Sequence, residues 1–505
     1  MKIVIVGGGT AGWLAALHFS KIKPEHNVTC IESSKIGIIG AGEGSTGTLT
    51  EIIQNRVWDF GCDEQDFVKE CDATIKYGIK HIGWSSDKDN FYYGPIDSTP
   101  TGMMDMKTGM SYPQYDFIFQ FALGYLNQQD LHIATELGYK IQHQKNDLEN
   151  IGEGDHAYHF DAHKLGKYLK KVCDNVVHID SEVKEVNLHS ETGFITSVLL
   201  SDLQEIHGDL FIDASGFSQV LMKHMNSKWK SYKNHLPVNT ALPFLLPYTE
   251  DEVIEPVTIA WAQNNGWCWQ IPTIHRRGCG YVFSDEFVTV DQAHSELEQT
   301  IGCEVEPINH IKFESGRQEK LWIKNCVSIG LCAAFSEPLE ATSIHTTIIQ
   351  LREFISRCLN NTNDTIEDIC NESQVDSYNS KQGDMYDTLK DFLVAHYTCG
   401  RRDTEFWKKV NNGSEFVRMV HELCENKFPD NNTFPKGNGY AGWSLWSYVL
   451  AGTGALTSEI AREKLSAINN KPAAEMLYNQ FLERSKMVSD HLKTNTEVIK
   501  SMQKI

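Results

Sequence analysis

The chain opens on a short unbroken apolar run, Lys2–Val6, of the kind a fully buried parallel strand needs. A glycine-rich turn follows, then helical spacing over Trp13–Lys21, then a second apolar run, Asn27–Ile31, that stops at Glu32. Strand, helix and strand in that order predict a βαβ opening. Gly37–Gly47, GIIGAGEGSTG, is a second glycine-rich stretch. Farther on, Gly208–Phe217 and Asn325–Gly330 read as isolated strands that end in turns. The 235–320 region carries strand-like runs such as Gly280–Phe283, and from about Ser343 the spacing turns helical and polar. Asn360–Ser373, rich in Asn, Asp and Thr, reads as a loop with a short helix. No internal repeat and no long low-complexity linker separates these parts. The expected organisation is therefore interleaved: an α/β core over 1–345 with a β-rich, substrate-side region at about 235–320, then a mainly helical module over 346–505.

With 505 residues, 41% hydrophobic and 22% charged, the composition is that of a globular protein with ample chain for a core. The formal charge of -21 argues against binding to nucleic acid or an anionic membrane, which needs basic surface. The longest apolar runs fall short of the roughly 20 residues of a membrane span. Lys2 before the first apolar run imitates a signal peptide, but the run is short and breaks into glycines. The 13 cysteines are dispersed, with no C-x-x-C pair, which fits reduced thiols and a cytoplasmic location.

Gly7, Gly9 and Gly12 have the G-x-G-x-x-G spacing. The first glycine permits a sharp turn, the second lets backbone approach a pyrophosphate, and the third lets helix pack on strand. The helix start offers amide donors to phosphates. Glu32 lies about 20 residues on, where a carboxylate accepts from ribose hydroxyls. The chain holds a single such fingerprint. The remote segments Ile212–Gly216 (IDASG) and NCVSIG suit a fold in which distant strands close over one long cofactor, FAD. A nicotinamide-using reductase needs a second nucleotide site, so electrons are expected from elsewhere, as reduced flavin made by a separate enzyme.

Several segments resemble the flavin-dependent halogenases of the tryptophan halogenase family. They are the GGGTAGW start, GAGEGS over Gly40–Ser45, AYHFDAH over Ala157–His163, GWCWQIP over Gly266–Pro272 and FSEPLEATSI over Phe335–Ile344. GWCWQIP contains the family's W-x-W-x-I-P signature. Many members have alanine and threonine where this chain has Gly44 and Ser45. The resemblance implies a flavoprotein-monooxygenase-like fold and a two-part reaction. Reduced FAD and O2 give a flavin C4a-hydroperoxide. This oxidises a halide (chloride, bromide or iodide) to hypohalous acid, which travels through the protein and halogenates an electron-rich aromatic ring. It also implies a cofactor set of Gly7, Gly9, Thr10, Ala11, Gly12, Glu32 and Ser33, joined by Ile36, Ala41, Gly44, Val183, Leu331 and Ile344.

On the same resemblance Lys76, in ATIKYGIKHIGW, matches the catalytic lysine. An ammonium there can hydrogen-bond hypohalous acid, or a neutral amine can form a haloamine. Lys80, one helical turn away, is the competing candidate. Glu340 matches the family's glutamate, which orients the oxidant and takes the proton lost from the ring. Glu337 is its alternative, and a helix-start acid is the plain structural reading of either. Thr342 and Ser343 match the halide position, where backbone amides hold a small anion. The family usually has serine at Ala341 and glycine at Ser343. Trp267, Trp269, Ile271 and Pro272 form the element thought to wall the substrate off from the flavin, with the two tryptophans on one strand face.

The substrate side is expected near Phe91, Tyr92 and Tyr93, where family members place aromatic rings, and near Trp446. Tryptophan-specific members carry two adjacent tyrosines where this chain has Trp446 and Ser447. That departure leaves an indole, a phenol or another heteroarene as substrate. His156, His159 and His163 read as strand-to-helix packing, and no metal is expected. The competing readings are an aromatic monooxygenase on the same scaffold and an inactive FAD-binding protein. Self-association is common in large enzymes, and the sequence fixes no subunit number.

Overall fold

A computed structural model describes residues 1–37, 43–95, 104–105, 110–111, 156–359, 365–398, 400–412, 443–455, 459, 483 and 494–503. In chain order the elements that build the site begin with β1 (Lys2–Val6), α1 (Thr10–Ile22), β2 (Asn27–Glu32), β3 (Glu43–Gly44), β4 (Thr74–Lys76), β5 (Gly78–Ile82) and β6 (Phe91–Pro95). They continue with β7 (Ala157–Phe160), α2 (Ala162–Val172), β8 (Val177–Asp180), β9 (Leu210–Asp213), β10 (Thr240–Pro247), β11 (Val257–Ala262), β12 (Gly266–Pro272) and β13 (Arg276–Phe283). The set closes with β14 (Ile311–Lys312), β15 (Trp322–Ile323), β16 (Cys326–Ser328), α3 (Thr342–Cys358), α4 (Glu372–Tyr397) and α5 (Trp443–Gly452).

Six strands form one sheet in the order β8-β2-β1-β9-β16-β15, parallel except for the β15–β16 hairpin. Ile3 to Val6 are all buried because β1 lies at the centre, covered on both faces, which is why its sequence is a continuous apolar run. The chain leaves β1 in one direction to β2 and β8 and returns on its other side as β9. The crevice at the carboxyl ends of β1 and β9 is therefore a topological switch point, where open α/β sheets bind ligands.

The turn out of β1 allows no side chain. Gly7 has φ +114°, and a Cβ there would lie 2.3 Å from the Ala214 carbonyl oxygen. A Cβ on Gly12 would lie 1.8 Å from the Gly7 carbonyl oxygen, so the missing side chain lets α1 press onto the turn. Helix α1 begins at Thr10, three residues before the apolar spacing, and is buried from Gly12 to Ser20 because α2 and α3 both pack on it.

The second sheet has seven strands in the order β14-β10-β13-β12-β11-β5-β6. Five of its strands lie within the 235–320 region, and two come from far upstream, with β5 parallel to β11. A small sheet, β3-β7-β4, packs against β11 and β12 of the seven-stranded sheet. The segment around Lys76 is thus two strands and not a helix, as the spacing of Lys76 and Lys80 had implied. The chain changes sheets at Tyr77, whose N–H donates to the Pro256 carbonyl at 2.8 Å. Of the polar Asn360–Ser373 stretch, Ile366–Ile369 is a short helix and Glu372 already begins the 26-residue α4. No helix among the described residues is long and apolar enough to cross a membrane.

The α1 contact gives a stability test. Gly12→Ala should destabilise the protein by about 1–3 kcal/mol, the usual cost of overpacking. Thermal or denaturant unfolding reads this, and an unchanged midpoint would contradict the contact.

Candidate active site

A cavity of about 970 Å³ opens at the switch point. Gly7, Gly9, Thr10 and Ala11 line one end, with Glu32, Ser33 and Ile36 from the end of β2 and Val183, Leu331 and Ile344 around them. No side chain caps the start of α1, and a Cβ on Gly9 would meet nothing within 4 Å, so that amide end faces open space. The Glu32 carboxylate already accepts from Trp13 Nε1 at 3.3 Å and Lys170 Nζ at 3.0 Å, and lies 2.7 Å from His178 Nε2. Asp213, in the IDASG segment, is fully buried and has a structural task. Its carboxylate accepts from the Ser215, Leu221 and Met222 amides at 3.1, 2.7 and 2.8 Å, and this holds the turn after β9. Ala41 lies outside the described residues. Gly44 is on the cavity wall.

Behind Gly44 stands Lys76. It is fully buried on β4, and its Nζ donates to the Ser45 carbonyl at 3.1 Å. A Cβ on Gly44 would lie 3.1 Å from that Nζ, so the small residue leaves the ammonium close to the cavity wall. Burial lowers the Lys76 pKa to about 8, and the negative charge of Glu340 opposes the shift. The His159 imidazole is held well below its ordinary value by burial and by Lys76. Lys80 points elsewhere. It pairs with Glu255 at 2.7 Å and lies 4.7 Å from the Phe91 ring and 5.6 Å from the Tyr93 ring. The change of sheet at Tyr77, not the strand period, turns Lys80 away from Lys76.

The turn before α3 carries unusual backbone. Glu337, Glu340 and Ala341 all have positive φ, at 60°, 68° and 52°. Left-handed non-glycine residues cost about 1–3 kcal/mol each and gather at functional sites. Glu340 lines the cavity, and one of its oxygens meets two imidazoles: His396 Nε2 at 2.9 Å and His81 Nε2 at 3.3 Å. Burial pushes the Glu340 carboxyl up, but the two histidines outweigh it and hold it well below the usual carboxylate range. Glu337 is the opposite case. Burial raises its carboxyl to about 8, against a 2.9 Å hydrogen bond from Tyr397 and the nearby Trp267. Of the two glutamates, then, Glu340 is the ionised one on the cavity and Glu337 a neutral acid behind it. Thr342 and Ser343 begin α3 beside Glu340, with no side chain capping the helix start, and both line the same cavity.

Trp267, Trp269 and Ile271 on β12 line the cavity from one face. The Trp267 and Trp269 ring centroids are 6.3 Å apart. A Cβ on Gly280 would lie 2.1 Å from the Trp269 ring, so the indole lies over the space that glycine leaves. Pro272 is not on the wall. Its carbonyl accepts from Thr74 at 2.6 Å and so ties β12 to the strand that carries Lys76.

The three aromatic residues of β6 divide by strand alternation. Tyr92 stacks on His81 at 4.5 Å and 6°, toward Glu340, whereas Phe91 and Tyr93 lie on the Lys80 side. None of the three lines the cavity described above. Trp446 is buried on α5 at 5.3 Å from Phe392, and the side chain of Ser447 lies outside the described residues. His156 approaches the Tyr158 hydroxyl at 3.2 Å and His159 the Thr258 hydroxyl at 2.9 Å, while His163 sits on α2. These three do not converge. His81, Glu340 and His396 do, with ligand-type atoms within 4.8 Å of one another. Neither histidine stood out in the sequence, because the contact to His396 joins residues 56 apart. The backbone signal, an ionisable residue in left-handed conformation, exists only in the fold.

The tryptophan halogenase family model matches residues 2–467. Tryptophan 6-halogenase SttH of Streptomyces toxytricini is 30% identical over 99% of this chain and 98% of that protein. Tryptophan 7-halogenase RebH of Lentzea aerocolonigenes is 30% identical over 81% of this chain and 78% of that protein. Among solved structures, Xcc4156, a flavin-dependent halogenase from Xanthomonas campestris, superposes with a TM-score of 0.82 at 25% identity, over 99% of this chain and 98% of that one.

The burial of Lys76 has a measurable consequence. Between about pH 8 and the ordinary lysine value of 10.5, the unfolded chain holds a proton that the folded one has released. Stability should therefore rise with pH across that window, by up to about 1.4 kcal/mol per unit. The unfolding free energy of the wild type minus that of Lys76→Met should climb over this range. A flat difference would mean an ordinary, solvated lysine.

Proposed function

The chain belongs to the tryptophan halogenase family, and from that premise we propose how this flavin-dependent halogenase modifies an electron-rich aromatic ring. One observation carries the reading. A single cavity runs from the glycine turn to Thr342, Ser343 and Glu340, and the buried Lys76 stands behind its Gly44 wall.

The residues present fit FAD. The open amide end at Gly9, Thr10 and Ala11 suits a pyrophosphate. Glu32 keeps lone pairs for ribose hydroxyls, since a carboxylate accepts about four bonds. Ile36, 67% exposed at the cavity, offers an apolar contact to a flat ring, with Ser33, Val183, Leu331 and Ile344 completing the cradle. Bound in its reduced form and meeting O2, the flavin supplies the two-electron oxidation that turns a halide into hypohalous acid. A separate flavin reductase delivers it.

The chain's own groups do the rest. The amide end of α3 at Thr342 and Ser343 holds the halide. The indoles of Trp267 and Trp269, with Ile271, form a wall that keeps the organic substrate from the flavin. Lys76 donates a hydrogen bond from its ammonium to the oxidant and polarises it toward the ring. A lysine pKa near 8 also leaves a fraction of neutral amine close to working pH. Glu340, ionised, takes the proton that the halogenated carbon must lose. The substrate is an indole, phenol or other heteroarene. The named relatives act on tryptophan, at positions 6 and 7. The ten described cysteines are all free thiols, as a reducing cytoplasm keeps them.

Reduced FAD, oxygen, bromide and a panel of indoles and phenols, followed by mass spectrometry, should give brominated product. Hydroxylated product would indicate a monooxygenase, and no turnover despite tight FAD binding an inactive protein. Lys76→Ala should abolish bromination while reduced flavin is still consumed. Glu340→Gln should slow it by about 10²- to 10⁴-fold, the usual worth of a positioned base. Bromination that survives Lys76→Ala would overturn the assignment.

A further inference from the structure

The grip on Glu340 is more specific than a base requires. His396 sits in the last turn of α4, where its Nδ1 lies 3.0 Å from the Phe392 carbonyl oxygen and its Nε2 lies 2.9 Å from Glu340 Oε1. A carbonyl oxygen only accepts, so Nδ1 carries a proton. Nε2 faces a carboxylate oxygen, and that contact is a hydrogen bond only with a second proton between the two atoms. The partners therefore assign one proton to Nδ1 and one to the Nε2···Oε1 pair. His81 approaches the same oxygen at 3.3 Å, and its ring plane is fixed by the Tyr92 stack. Both imidazoles are fully buried, with ring centroids 5.2 Å apart. Aromatic neighbours immobilise them: Trp84 is 5.9 Å from His81 and 6.1 Å from His396, and Phe392 is 5.1 Å from His396. A metal between these groups is disfavoured by the 2.9 Å contact, which is a hydrogen-bond length.

We propose that His396 is a positioning residue that locks one oxygen of Glu340, with His81 as the second stop, so that only the carboxylate's other oxygen is presented to the arene. The inference rests on the halogenase reading and deepens it. In the final step the ring C–H bond breaks and its electron pair returns to the ring. The proton goes to the free oxygen of Glu340, while the proton between Nε2 and Oε1 stays in place. No further oxidant or reductant is consumed. Tying one oxygen also fixes the side-chain rotamer of a residue whose backbone is already left-handed, which removes the freedom to swing away from the ring.

The charge consequences follow. The other titratable groups around the carboxyl are Lys76 on β4, coupled to it by charge, Tyr92 on β6 against His81, and Glu337 with its partner Tyr397 three residues earlier on the same turn. The histidines hold Glu340 ionised against the effect of burial. Without His396, burial gains and the Glu340 carboxyl titrates at higher pH.

The test compares His396→Phe, which keeps an aromatic ring without N–H groups, with His396→Gln, which keeps a donor. In the bromination assay His396→Phe should lower kcat by about 10- to 100-fold, less than the 10²- to 10⁴-fold worth of the base itself. The arene KM should stay near the wild-type value. The acid limb of the pH profile should move up by about one unit or more. His396→Gln should recover part of both losses. Unchanged consumption of reduced flavin checks that each variant is folded. If His396→Phe does not fold, His396→Gln alone carries the test, because a lost donor geometry still moves the acid limb. A readout without flavin is the titration of the Glu340 carboxyl by infrared difference against Glu340→Gln. An unmoved titration in the His396 variants, or a glutamine no better than phenylalanine, overturns this inference. A wild type that brominates nothing overturns the functional reading instead.

Discussion

An ionised carboxylate taken out of water costs several kcal/mol unless donors meet it, and the turn that carries Glu340 is organised around those donors. The hydrogen bond comes from His396 at the end of α4, and His81 on β5, far off in the chain, approaches the same oxygen at 3.3 Å. The turn itself holds three left-handed non-glycine residues, Glu337, Glu340 and Ala341. Such backbone persists only where the surroundings over-determine it. Here the surroundings are the buried start of α3 on one side and the aromatic cluster of Trp84, Phe392 and Tyr397 on the other.

Two carboxyls on one turn are driven in opposite directions by these surroundings. Glu337, facing Tyr397 and Trp267, is desolvated and weakly satisfied, so it is a neutral acid at physiological pH. Glu340, three residues on, faces two imidazoles and stays charged. Environments that separate the titration of neighbouring groups mark acid and base roles. The separation also explains why Glu337 can sit next to Trp267: an uncharged carboxyl is tolerated beside a buried indole.

The layout of the sheets sets the distances. The parallel sheet supplies the glycine turn and the switch-point crevice, the seven-stranded sheet carries Trp267 and Trp269, and the small β3-β7-β4 sheet carries Lys76. The Thr74 hydroxyl on the Pro272 carbonyl fixes the strand of the lysine against the strand of the wall. Gly44, paired with His159 in the small sheet, is both cavity wall and the space that admits the lysine ammonium.

The sequence by itself determined the local features. The apolar Lys2–Val6 run, the glycine spacing and the acid at Glu32 specify the opening βαβ unit, because a doubly covered strand must be uniformly apolar and a tight turn must be glycine. The W-x-W alternation placed both indoles on one face, since strand geometry is local. The resemblance singled out Lys76 and Glu340 by position in a motif. Only the tertiary structure set Lys76 and Lys80 in different surroundings, by making the segment two strands and pairing Lys80 with Glu255. Only it put Tyr92 against His81 and left Phe91 and Tyr93 beside Lys80, because the neighbours of each face depend on which sheet β6 joins. The histidines that hold Glu340 were invisible in the chain. Each is an ordinary histidine in its own segment, and its contact with Glu340 closes only when β5, α4 and the turn before α3 pack together.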